Sequence, residues 1–368
     1  MEISLKKKIT KNDLCKNKNI HKVNKIKKPV NFSHKKQSLK PINHPSVKIL
    51  EKAILEDFRN VLKQEHKEAL EKHIISFKRE FHSLKRASSL YSGIDLKKFI
   101  LSQRDPSLRI LSKEIGRALF YGSGVFLLKN FPLTEQEDLE ISTFVFICYL
   151  GLPVYNNRDK IYVWSVVPQQ IESSKYPQDA NYRIGNTGLA VGFHTDTSTL
   201  AGLLCIKQAQ EGGENEIISA VAVHNKILKT RPDLLKVLYS NFFIDRRGEE
   251  MPGEKPYAEI PIFKQTKSGQ LLAHWTRLYT YEAYRKYDVK PLTNLQQEAL
   301  EYLVNVVRSI ASSQKVVFKA QPGDFLLLNN NLVFHNRLAF KGDRHLLRVW
   351  IYSKKHSALP HTFGYPYQ

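Results

Sequence analysis

Cysteine is scarce. Cys15, Cys148 and Cys205 are the only three in 368 residues, too few and too scattered for a disulfide framework or a cysteine-rich zinc site. Reduced thiols of this kind point to a cytoplasmic protein. Long apolar runs are missing as well. The best of them, residues 141–150, falls short of the roughly 18 residues that a membrane span needs and reads as part of a core helix. No apolar stretch follows the basic N-terminus, so a secretory signal is not expected. No Walker motif or Ser-His-Asp order stands out, and Gly122-Ser123-Gly124 is too short for a nucleotide loop. Arginine is absent from the first 50 residues, and Phe32 is the lone Phe, Tyr or Trp of residues 1–45. Those are the residues best suited to forking phosphates and stacking bases.

What is present is charge and core. Lys and Arg number 57 against 35 Asp and Glu, a net charge of +22, while hydrophobic residues make up 42%. The excess is uneven: residues 1–50 carry 14 Lys against only Glu2 and Asp13. Residues 1–45 show no helical or strand period and read as a disordered basic tail. A solvated tail fits better than a nucleic-acid anchor, given the missing arginines and aromatics.

From Ser46, which follows Pro45, the pattern turns periodic. Val47, Leu50, Ile54, Phe58 and Val61 recur at helical steps, as do Leu70, Ile74, Phe77, Phe81 and Leu84. Residues 46–110 are therefore expected as a helical N-terminal extension. Strands follow at 125–128, 161–164 and 200–206. Thr134 and Glu137 read as a capping box for a helix through Leu150, and Thr293 and Gln296 as another for a helix bearing Leu300, Leu303, Val307 and Ile310. Three more strands are expected at 316–319, 325–328 and 344–352. This order predicts an α+β fold with a β-sandwich or barrel core. Residues 111–355 form its main domain and 356–368 a C-terminal tail.

The chemistry lies in three short stretches. In Phe193-His194-Thr195-Asp196, an imidazole and a carboxylate two apart on an extended segment face one side. Pro322-Gly323-Asp324 turns into an apolar strand that leads to Phe334-His335, so a second imidazole completes two His and one carboxylate. Such a triad leaves open positions on Fe(II), and zinc would accept it too. Arg344 and Arg348 share one face of the last strand by period two. That strand is expected to form a hairpin with the one ending near His335, which turns two guanidiniums toward the ligands. A planar bidentate donor suits a dicarboxylate. His224, His274 and His345 read as structural.

Taken in order, His194-x-Asp196, Gly212-Gly213-Glu214, Pro322-Gly323-Asp324, His335-x-Arg337 and Arg344-x-x-x-Arg348 resemble the TauD/TfdA-like (taurine dioxygenase) family of Fe(II)/2-oxoglutarate-dependent oxygenases. The resemblance runs from about Glu114 to Tyr352. It implies a double-stranded β-helix, a cupin-like jelly roll with flanking helices. It implies Fe(II) on His194, Asp196 and His335, with 2-oxoglutarate and O2 as co-substrates and succinate and CO2 released. It implies Arg348 on the distal carboxylate of 2-oxoglutarate, and Arg344 near the co-substrate or an anionic substrate. No catalytic residue beyond the metal ligands is implied. Asn215 stands where relatives often carry a Thr that contacts 2-oxoglutarate. Ala190 replaces the Asn that binds taurine in the taurine-specific enzyme, so the expected substrate is another small organic acid or amino-acid derivative. Residues 176–192 are the expected substrate lid, with Tyr182 and Arg183 as substrate candidates beside Trp275 and Arg277. The outcome is hydroxylation or desaturation. The competing readings are a nucleic-acid demethylase on the same barrel, a basic nucleic-acid-binding protein and a non-enzymatic metal sensor.

Overall fold

The computed structural model describes residues 39–47, 59–157, 159–168, 185, 187–247, 250, 253–266 and 268–353. By internal contacts the chain divides after Leu39, and the residues from Lys40 onward form one unit. The basic tail therefore lies outside the described residues, apart from its last few positions.

That unit opens with β1 (Arg59–Val61), α1 (Gln64–Phe81), α2 (Leu84–Leu90), α3 (Gly93–Ser102) and α4 (Pro106–Tyr121). β2 (Val125–Lys129), α5 (Gln136–Leu150), β3 (Leu152–Val154) and β4 (Val163–Val166) follow. Next come β5 (Leu200–Lys207), β6 (Glu211–Gly212), β7 (Asn215–Ser219), α6 (Ala220–Thr230) and α7 (Pro232–Leu238). An outer excursion holds β8 (Asn241–Asp245), β9 (Tyr257–Pro261), β10 (Phe263–Gln265), β11 (Leu271–Ala273) and α8 (Arg277–Lys286). The chain returns through α9 (Asn294–Ser313), β12 (Val316–Phe318), β13 (Phe325–Asn329), β14 (Val333–Arg337), β15 (Phe340–Lys341) and β16 (His345–Tyr352).

Two sheets organise these elements. A seven-stranded sheet runs β1-β2-β13-β5-β16-β3, with β4 also on β16; a three-stranded sheet runs β12-β7-β14. Alternation along β16 explains how the large sheet serves two purposes. Leu347, Val349 and Ile351 join the main apolar cluster with Leu200, Leu204, Phe325 and Leu327. Arg344, Leu346, Arg348 and Trp350, on the other parity, face a cavity. Full burial of each such Leu or Phe is worth about 1.5–3 kcal/mol, so the outer face holds the sheet rigid while the inner face carries polar groups.

The same cluster takes in Phe77 of α1, Ile115 of α4, and Ile141 and Phe144 to Cys148 of α5. α5 is apolar on all sides because it lies between the sheet and the outer helices, with Phe146 and Phe325 ring centroids 5.7 Å apart. The α+β class expected from the sequence is observed.

Four local expectations need correction. Val61 is not helical: β1 pairs in parallel with β2, so tertiary pairing overrides the apolar period, and Leu50, Ile54 and Phe58 lie outside the described residues. α5 starts one residue late for the proposed capping box. Its N-cap is Glu135, without a side-chain cap bond, which leaves Thr134 and Glu137 at the wrong spacing. The strand expected at 161–164 is β4, shifted by two, because Asn156 takes the carbonyls of Ile161 and Tyr162 through its side-chain amide at 3.4 and 2.9 Å. Finally, β14 and β16 form no hairpin. β14 pairs with β7 and β16 with β5, in different sheets, and the two arginines border the same cavity as His194, Asp196 and His335 instead. The box at Thr293 and Gln296 is present as expected.

Candidate metal centre and its cavity

The site is built from a cross-strand pair. His194 and His335 form an isolated antiparallel bridge, with both N–H···O bonds at 3.0 Å. Directly opposed residues share a face, and the two ring centroids are 4.2 Å apart. Gly192, at φ +83°, turns the chain so that its carbonyl accepts from His194 Nδ1 at 2.8 Å. That bond places the proton on Nδ1 and leaves Nε2 as the donor atom. Asn336 accepts from the Gly192 N–H at 2.8 Å and donates to Glu216 at 2.7 Å, which ties this turn to β7.

Asp196 is held from two directions. Thr195, between the candidate ligands, donates its backbone N–H to Trp275 O at 2.8 Å and accepts from Trp275 N on Oγ1 at 3.1 Å. The buried Asn330 accepts from the Asp196 N–H at 3.1 Å and donates to Ser198 O at 2.9 Å. One ligand atom each from His194, Asp196 and His335 thus falls within 4.8 Å of the others.

The electrostatics suit a divalent cation. Burial lowers the pKa of both imidazoles, with His335 further lowered by His194 to about 3, so each keeps a lone pair at neutral pH. Burial opposes ionisation of Asp196, but the surrounding groups, the Arg348 guanidinium foremost, outweigh it and hold the carboxyl below its usual range. Two neutral nitrogens and one carboxylate oxygen converge from one side and leave the other side open to the cavity. Iron and zinc both fit that donor set.

The cavity has a volume of about 570 Å³, and both sheets and α8 line it. Its charge is one-sided. Among the described lining residues Asp196 is the single acid, against Arg277, Arg308, Arg337, Arg344 and Arg348. Arg348 donates from Nε to Asn156 Oδ1 at 3.0 Å, lies over the Trp350 ring at 4.5 Å and comes within 3.8 Å of Asp196 Oδ1. Arg344 is 5% exposed and donates from Nε to Gln208 Oε1 at 3.2 Å. Arg337 donates to the carbonyls of Thr187 and Leu189 at 2.8 and 2.6 Å. Phe340 stacks between the last two, 4.6 Å from Arg337 and 5.6 Å from Arg344. Burial pulls Arg344 down to about 10, and burial together with Arg344 pulls Arg337 down to about 9.

The structure brings together most of what the sequence singled out. His194, Asp196, His335, Arg344, Arg348, Asn215, Trp275 and Arg277 all border this cavity. Tyr182 and Arg183, with most of the expected lid, lie outside the described residues. His224 is buried in α6 against Tyr239 Oη at 2.9 Å, and His345 turns to Ser165 at 2.6 Å; neither borders the cavity. Four polar residues were missed as site residues: Arg337, Gln208, Asn156 and Asn330. Arg337 was legible, since it lies two residues after His335 on one strand face. The three amides carry no spacing signal, because each acts through a partner distant in sequence.

The family model for "Taurine catabolism dioxygenase TauD, TfdA family" matches residues 91–350. The match begins within the expected N-terminal extension and takes in α3 and α4. FR-33289 synthase of Streptomyces rubellomurinus is 33% identical over 175 residues, covering 45% of this chain and 50% of that protein. A taurine hydroxylase-like protein of Stachybotrys chartarum is 29% identical over 272 residues, 68% of this chain and 66% of that protein. The matches thus span half to about two-thirds of these relatives' lengths. Among solved structures, an asparagine oxygenase complex with Fe(II), hydroxyasparagine and succinate superposes with a TM-score of 0.56 at 15% identity, over 80% of this chain and 94% of that one. The non-heme iron oxygenase OrfP, with Fe, succinate and hydroxyarginine, gives 0.55 at 15% identity, over 83% and 98%. Among the described residues, no helix is long and apolar enough to cross a membrane.

Proposed function

The chain belongs to the TauD/TfdA family of dioxygenases, and from that premise we propose that it is an Fe(II)/2-oxoglutarate-dependent oxygenase that hydroxylates a small organic acid or amino-acid-like substrate. The observation that carries this is the convergence of His194, Asp196 and His335 within 4.8 Å at the wall of an arginine-lined cavity. The two sheets are read as a double-stranded β-helix, and the likeness to the asparagine oxygenase supports that fold.

His194 Nε2, His335 Nε2 and an Asp196 oxygen would hold the iron. Iron so held supplies O2 activation coupled to decarboxylation of 2-oxoglutarate to succinate and CO2, and with it oxidation of a C–H bond. The protein's part is to place two anions. Arg337 lies two residues beyond His335 on β14, about 7 Å along the same face. Asn215 stands opposite Arg337 in register, and Arg344 joins them across Phe340. By that spacing the cluster suits the distal carboxylate of 2-oxoglutarate.

Arg348 sits against Asp196 itself, which suits an anionic group of the substrate better. This allocation exchanges the two arginines relative to the sequence reading, which gave the distal carboxylate to Arg348. Hydrogen bonds to the buried Arg344 and the partly buried Arg348 would fix both molecules in a cavity whose lining also includes the apolar Leu346, Trp164 and Trp350. With Asp196 as the lone described acid, the cavity favours an anionic substrate over a cationic one. The nucleic-acid readings draw no support from this cavity. The proposed domain division keeps a basic tail (1–45), a helical extension (46–110), the oxygenase domain (111–355) and a C-terminal tail (356–368).

The test is succinate release by the iron-loaded protein with 2-oxoglutarate and a panel of amino acids and small acids. Stimulation above the uncoupled rate by an acidic member of the panel is expected. Absence of any 2-oxoglutarate consumption by the folded, iron-loaded protein contradicts the reading.

A further inference from the structure

Several cations among the described residues are matched by carboxylates. Arg231 pairs with Asp233 at 2.6 Å and Glu298 at 2.8 Å, Arg285 with Glu282 at 2.6 Å, and Lys286 with Asp245 at 2.9 Å. Arg344 is different. It is far more buried than Arg231 or Arg285, and its hydrogen-bond partner is an amide, Gln208.

That amide is locked at both ends. Its Oε1 accepts from Arg344 Nε at 3.2 Å and from Ala209 N at 2.9 Å, while its Nε2 donates to Ala320 O at 2.8 Å. The carbonyl of Ala320 fixes which end is nitrogen, so the oxygen must face Arg344. Gly213, at φ +78°, leaves the space: a Cβ there would stand 3.1 Å from Gln208 Oε1 and 3.6 Å from Arg344 Nε. The same device recurs across the cavity, where Arg348 Nε is held by Asn156 Oδ1 at 3.0 Å. Asn156 is 1% exposed and locked in turn on Tyr162 O at 2.9 Å.

We propose that Gln208 is a positioning residue that aims Arg344 into the cavity while leaving its positive charge uncancelled for the distal carboxylate of 2-oxoglutarate. A glutamate in its place would grip the guanidinium at least as firmly. It would also neutralise it and repel the incoming carboxylate. The amide is therefore suited on both counts: its nitrogen satisfies Ala320 O, which a carboxylate cannot, and its oxygen holds Arg344 without cancelling the charge. This inference rests on the allocation of Arg344 to 2-oxoglutarate made above.

The test compares wild type with Gln208→Glu and Gln208→Met. Three quantities are read: thermal midpoint, Fe(II) affinity, and 2-oxoglutarate affinity by anaerobic titration of the Fe(II) protein's visible absorption. Gln208→Glu, which trades the bond to Ala320 O for an ion pair with Arg344, is expected to stay folded and keep Fe(II) affinity, yet weaken 2-oxoglutarate binding about ten-fold or more. Its uncoupled succinate formation should show a raised KM for 2-oxoglutarate with kcat retained at saturation. Gln208→Met, which loses the aim but adds no charge, should weaken binding less than Gln208→Glu. Unchanged 2-oxoglutarate affinity in Gln208→Glu overturns the proposal, as does an equal or larger loss in Gln208→Met. A wild-type protein that takes up Fe(II) but not 2-oxoglutarate overturns the functional reading itself.

Discussion

Arg344→Met separates what a buried charge does for binding from what it does for folding. In the apo protein this guanidinium is 5% exposed, its hydrogen-bond partner is neutral, and burial has moved it from 12.5 to about 10. At 1.36 kcal/mol per pH unit that displacement is a cost of about 3 kcal/mol to the folded chain. The sign is clear: at neutral pH the group is charged in both states, and the folded state is the one that resists the charge. Methionine fills a similar length without the charge, so the metal-free, co-substrate-free variant should melt no lower than wild type and up to a few degrees higher.

Binding moves the other way. Removing one partner of a buried charge pair costs about 2–5 kcal/mol, so 2-oxoglutarate affinity should fall by about 30-fold to several thousand-fold. Differential scanning fluorimetry reads the first quantity and anaerobic titration with 2-oxoglutarate the second. Arg348→Met should weaken 2-oxoglutarate less than Arg344→Met does. The reasoning is refuted if Arg344→Met lowers the apo midpoint steeply while leaving 2-oxoglutarate affinity intact, or if Arg348→Met proves the more damaging of the two.

Two further outcomes follow from the packing around the site. Asn330→Ala removes the acceptor for the Asp196 N–H and the donor to Ser198 O in a position 1% exposed. Two partly buried backbone groups lose their partners, so chemical denaturation should register a loss of about 1–3 kcal/mol, and Fe(II) affinity should drop about 10- to 100-fold; a variant as stable and as tight for iron as wild type would sink this account of the ligand loop. Burial also lowers the pKa of His224 and of His73 below 6.5. The unfolded chain therefore takes up protons that the folded chain refuses, so their contribution is complete above 6.5 and is lost as pH falls below it. Melting scans of the metal-free protein should show a midpoint that declines from pH 7 toward pH 5, with a shallower decline in His224→Gln; a flat profile contradicts this.

The sequence was legible where chemistry follows a local period. His194 and Asp196 face one way because alternate residues of an extended segment do, and the same rule put Arg344 and Arg348 on one face of β16. It also marked β5, β13 and the long helix α1. Local reasoning failed where pairing is non-local. β14 and β16 are close in sequence, which suggests a hairpin, yet β15 intervenes and pairs with β6, and the two strands join different sheets. Val61 looked helical by its apolar spacing but is a strand because β2 lies beside it.

The proposed allocation of the arginines draws on information the sequence lacks, for a related reason. Period two says which face a side chain takes, not how far along the cavity it reaches, and that depends on how the two sheets meet. Gln208, Asn156 and Asn330 left no mark at all. Each is a single amide that ties its neighbourhood to a partner 112 to 192 positions away.

The most direct test of the central claim is anaerobic visible absorption of the protein with Fe(II) and 2-oxoglutarate, beside His335→Ala. A weak charge-transfer band is predicted in wild type at one iron per chain, appearing only when both are present and lost in the variant. No band from folded, iron-loaded wild type, or an equal band from His335→Ala, would contradict the assignment of His194, Asp196 and His335 as the iron site.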